Sequence, residues 1–129
     1  MDRDVILIGA LALHLAVAAV HGTAHGLMGV GLPLWQNALV VLTTFLGPVA
    51  GVALAVRDRP LGVPLFTVSM ASALALGGIL HFVVESPDHV LAVPASEWQA
   101  LFQASALGVL LTPALGVAVG AWAMSGRPE

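Results

Sequence analysis

The sequence predicts an all-α integral membrane protein folded as an up-down four-helix bundle, and three observations carry that prediction. The 129 residues are 59% hydrophobic and only 9% charged, too little polar surface for a domain that faces water on every side. Four stretches of about 20 residues run nearly free of charge, the length at which a helix crosses the hydrocarbon core with its backbone groups paired internally. The connections between them each contain proline or glycine and are short, which makes consecutive helices antiparallel neighbours. At this length the chain reads as one domain, 1–129.

The first span runs from Val5 to about Val30 and carries His14, His21 and His25 but no charge. Its leader, Met-Asp-Arg-Asp, is not net positive and the apolar run is long, so it reads as a retained helix rather than a signal peptide. Ala38 to Val56, Val63 to Val84 and Trp98 to Met124 supply the other three spans. All four basic residues are arginines, and Arg3, Arg57, Arg59 and Arg127 fall on one side of this topology. Cytoplasmic flanks collect such residues, so both termini are expected in the cytoplasm and the chain in the cell membrane as a multi-pass protein. Trp35 and Trp98 then sit at the outer interface and Trp122 at the inner one, where aromatic belts lie.

Composition also excludes chemistry. With no cysteine there are no disulfides, thiolate metal sites, iron–sulfur clusters or cysteine nucleophiles. With no lysine there is no Schiff-base chemistry and no phosphate-loop lysine, and without a basic stretch a nucleic-acid partner is excluded. The partners expected are the lipid bilayer and either a second copy or a larger membrane complex. No poised nucleophile stands in the spans, so the reading leans away from an enzyme.

The polar residues that remain gather at one level. His14 falls near the midplane, while His21 and His25 approach the outer boundary, and the third span, running up from Val63, brings His81 and Glu85 to the same height. At 100° per residue His14, His21 and His25 share one stripe, and His81 shares another with Glu85. A His-x-x-x-His pair facing a His-x-x-x-Glu pair has the spacing to enclose one metal ion, and imidazole suits Zn, Cu, Fe and Ni. His21, His25, His81 and Glu85 are therefore the predicted ligands. His14, Asp88, His89, Gln99 and Gln103 are possible accessories, although Asp88 after Pro87 also reads as turn chemistry and His89 as an exposed loop residue. Small residues at Ala18, Gly22 and Gly26, and at Gly77 and Gly78, allow close helix approach near these histidines. Pro48 and Pro113 lie mid-span, where each frees a backbone carbonyl and kinks its helix.

Two other functions compete with the metal site. His21 or His25 with His81 has the residue types for bis-imidazole ligation of a haem b. Alternatively the histidines are interhelical hydrogen bonders in an accessory subunit of a larger membrane complex, with Glu85 a solvated helix end.

The stretch His21-Gly-Thr-Ala-His25-Gly, with a proline at 33, resembles the His-Gly-x-Ala-His-Gly motif of nickel permeases associated with hydrogenase and urease, of the HupE/UreJ type. Carried over, it implies that His21 and His25 handle the metal; the family has more spans, and its second motif is matched only loosely by His81, Asp88 and His89. The segments from His81 to Val90 and from Trp98 to Gln103 are also similar to small four-span membrane proteins, which implies the topology alone.

Overall fold

The computed structural model describes residues 2–126; Arg127, placed above on the inner flank, lies outside them. Four helices are long and apolar enough to cross a membrane: α1 (Arg3–Met28), α2 (Leu34–Ala55), α3 (Gly62–Val83) and α4 (Gln99–Ser125). Each packs on the next, and α4 returns to lie along α1, so the four form an antiparallel ring whose loosest seam is between α1 and α2.

Local chemistry sets the helix ends. The Asp2 carboxylate accepts the Asp4 amide at the start of α1. Gly29, at φ +66°, takes the left-handed conformation that ends it. α2 begins at Leu34, directly after Pro33, rather than at Ala38. Its polar first turn is tolerated because the Asn37 amide donates to the Leu32 carbonyl at 2.9 Å, satisfying the connection that precedes it. At the same end as Asp2, Arg3 donates to the Ala55 carbonyl at 3.2 Å and lies 3.5 Å from Asp58, tying the chain start to the α2–α3 connection.

Two helices depart from α geometry. Val41–Leu46 of α2 and Ile79–Val83 of α3 are wound as π-helix. In α2 the cause is Pro48, which has no N–H to give the Thr44 carbonyl and whose ring crowds it; the Gly47 amide reaches back instead to Leu42. The apolar core splits into two parts. Leu7, Val52, Val63, Phe66, Met70 and Ala123 fill the end that holds Asp2 and Ser125, and Ala24, Val93 and Phe102 fill the other, here termed the histidine end.

Helices α2 and α3 meet closely enough that a Cβ on Gly51 would stand 2.5 Å from the Phe66 backbone nitrogen. Gly51→Ala is therefore expected to force these helices apart and cost about 1–3 kcal/mol in unfolding of the detergent-solubilised protein. Gly9→Ala, where a Cβ meets nothing within 4 Å, should stay within about 0.5 kcal/mol of wild type.

Candidate metal centre

The antiparallel register of α1 and α4 builds the polar interior. Seven residues up α1 from His14 is His21; seven residues back along α4 from Thr112 is Ser105. His14 Nδ1 lies 3.0 Å from the Thr112 hydroxyl oxygen, and His21 Nδ1 lies 2.8 Å from that of Ser105. His14 is almost wholly buried, and its Nε2 donates at 3.1 Å to the carbonyl of Thr44. That is the carbonyl Pro48 leaves without a helical partner. The Thr112 hydroxyl, which also lies 3.0 Å from the Gly108 carbonyl, stands against Nδ1, so both nitrogens of His14 face partners and neither is left to bind an ion.

The three remaining membrane-embedded histidines differ. His25 Nδ1 faces the Val30 carbonyl at 2.9 Å and His81 Nδ1 faces the Asp88 carbonyl at 2.9 Å; a carbonyl only accepts, so both rings carry a hydrogen on Nδ1. The Ser105 hydroxyl lies 2.8 Å from His21 Nδ1 and 3.1 Å from the Phe102 carbonyl, and its one hydrogen serves either, so His21 takes its proton on either nitrogen. One ring nitrogen from each of His21, His25 and His81 lies within 4.8 Å of the others, a spacing at which one ion can bridge all three.

His21 Nε2 and His81 Nε2 stand 3.1 Å apart, a hydrogen bond when His21 carries its proton on Nε2. Two imidazoles on one ion at about 2.0–2.1 Å stand about 3 Å apart, near the separation seen. His25 Nε2 is 3.0 Å from Asp88 Oδ1, and His81 Nδ1 is 3.4 Å from the same atom. Neither ring N–H points along these vectors, so Asp88 Oδ1 is a buried carboxylate oxygen close to two imidazoles yet without a hydrogen to accept. Phe102 closes the cluster from α4, its ring centroid 5.1, 5.0 and 5.9 Å from those of His21, His25 and His81.

The predicted residues divide clearly. His21, His25 and His81 come together, but Glu85 does not: α3 ends at Val83, Val84 turns extended, and Glu85 is exposed. Its predicted place, one helical turn beyond His81, required a helix that the π-turn has already terminated. Asp88 stands beside the cluster in its stead, 3% exposed, because the Val90 amide donates to the His81 carbonyl and folds the connection back onto α3. Gln103 donates to the Val90 carbonyl at 2.9 Å and pins the same connection to α4. His89 Nδ1 accepts the Leu91 amide at 3.2 Å within the connection, and Gln99 opens α4 without lining the space around the histidines. Ser105 and Phe102 were not anticipated; the seven-residue spacing of Ser105 and Thr112, matching that of His21 and His14, was the signal available.

A cavity of about 360 Å³ adjoins the cluster between α1, α2 and α3, lined by His14, His21, His25, His81 and Asp88 along its polar side. No family model, curated protein or solved structure matches the chain.

His14→Leu and Thr112→Val should each lower stability, and a double-mutant cycle on unfolding in detergent should give a coupling of about 0.6 kcal/mol, the typical value for a hydrogen bond between membrane helices.

Proposed function

We propose that this is a small multi-pass membrane protein that binds one divalent transition-metal ion through His21, His25 and His81, for delivery, sensing or transport. The observation that carries this reading is the meeting of His21, His25 and His81, one ring nitrogen of each within 4.8 Å of the others, with an oxygen of Ser105, Val30 or Asp88 against each Nδ1. Metal-ligating histidines characteristically donate their second ring N–H to an oxygen acceptor, because that fixes ring orientation and raises basicity. One proton can join His21 Nε2 to His81 Nε2 across 3.1 Å, whereas one ion can join all three rings. Asp88 supplies negative charge beside the cluster, offsetting that of the ion.

The haem reading is less favoured by the same distance. Axial ligands on opposite faces of one iron stand about 4 Å apart, given metal–nitrogen bonds of about 2 Å, wider than the 3.1 Å between His21 and His81 Nε2. The likeness of His21-Gly-Thr-Ala-His25-Gly to nickel permeases supports a site for nickel or a similar ion. The arginine distribution supports its placement at the outer face.

Protein purified in detergent and incubated with Zn²⁺, Ni²⁺ or Cu²⁺ is expected to retain one ion per chain by elemental analysis, and His21→Ala or His81→Ala to lose it. Ser105→Ala, which removes the acceptor for His21 Nδ1–H, should weaken binding about 10- to 100-fold, while Glu85→Ala leaves it unchanged. Affinity should fall as pH is lowered, because each ligating nitrogen must be free of a proton. Wild-type protein that stays metal-free with every ion offered overturns the reading.

A further inference from the structure

The cavity beside the histidines has a composition that a metal site alone does not require. Its volume of about 360 Å³ falls in the range of small-molecule sites and is more than twice that of an apolar cavity of about 150 Å³ that holds benzene. Ala18, Val40, Phe45, Ala73 and Leu76 give it apolar walls, and the histidine cluster with Asp88 gives it one polar end. Small residues keep it open: a Cβ built on Gly22, which lines it, meets nothing within 4 Å. No residue of Leu34–Leu46, the half of α2 that borders the cavity, is buried, and α1 and α2 form the loosest seam in the bundle. Set in a bilayer, that seam would open towards the acyl chains.

The polar end presents an unusual pair of demands. Three histidines leave a four-coordinate ion one open position, and Asp88 Oδ1, buried, lacks a hydrogen to accept. A hydroxyl group answers both, since its oxygen has a lone pair for the ion and its hydrogen suits the carboxylate. We propose that the cavity binds a small lipid-soluble molecule bearing a hydroxyl group, which enters from the bilayer between α1 and the first half of α2 and sets its hydroxyl between the histidine-held ion and Asp88. This assignment rests on the metal-binding reading above. An alcohol or phenol with a compact apolar body matches the walls; a sugar or nucleotide does not.

The test uses full-length protein in lipid nanodiscs loaded with Co²⁺, whose visible bands report its ligands, and 4-fluorophenol as the probe, with fluorobenzene as the hydroxyl-free control. The expected result is a saturable change in the cobalt bands with 4-fluorophenol and paramagnetic broadening of its fluorine resonance, with fluorobenzene at least about tenfold weaker. Gly22→Leu and Val40→Trp, which fill the cavity from different helices, should still take up one cobalt per chain yet bind 4-fluorophenol about tenfold less tightly. Cobalt uptake without any response to 4-fluorophenol, equal binding of fluorobenzene, or undiminished binding in both cobalt-loaded variants overturns the cavity assignment and leaves the metal reading intact. Failure of wild-type protein to take up cobalt overturns both.

Discussion

A polar atom inside a lipid-bounded bundle has no water to turn to, and that constraint organises the interior of this protein. Carbonyls and hydroxyls of two helices and two connections are matched to ring nitrogens one by one. His14 stands alone with a partner on each nitrogen, whereas His21, His25 and His81 stand together. What distinguishes this end of the bundle from its middle is three rings in contact beside a buried carboxylate oxygen that has no hydrogen to accept.

The two histidine environments also share an origin in backbone irregularity. Pro48 costs α2 a helical hydrogen bond, and the freed Thr44 carbonyl is the group that fixes His14. The π-turn at Ile79–Val83 ends α3 early and lets the following connection fold back, which is how Asp88 reaches a buried position close to its own helix. Neither device adds much packing. Each converts a local defect in a helix into a fixed direction for a ring.

Much of this was visible in the sequence. Charge scarcity and four apolar runs sufficed for the all-α, four-span architecture. Helix length and the arginines placed His21, His25 and His81 at one height because rise per residue is nearly constant along a helix. Glu85 was misplaced for the same reason, since extrapolating by a fixed rise and turn assumes the helix continues, and the π-turn breaks that assumption. Asp88 was undervalued because a proline–aspartate pair signals a turn and gives no information on where the turn packs. Ser105 and Phe102 lie on a helix separated from α1 by two others in the chain, and the register of such a pair is set by tertiary packing.

The histidine cluster draws on distant parts of the chain. Its nitrogens come from α1 and α3, its nearby carboxylate from the connection that follows α3, and the acceptor that orients His21 from α4. As the chain emerges from a ribosome, the first helix is in the bilayer with two of these imidazoles long before Ser105 is synthesised. A nascent chain therefore lacks the oriented site until its last helix has been inserted, and acquisition of an ion would mark the end of biogenesis. A protein truncated before α4 would keep every predicted ligand and still lack the geometry to hold them in place.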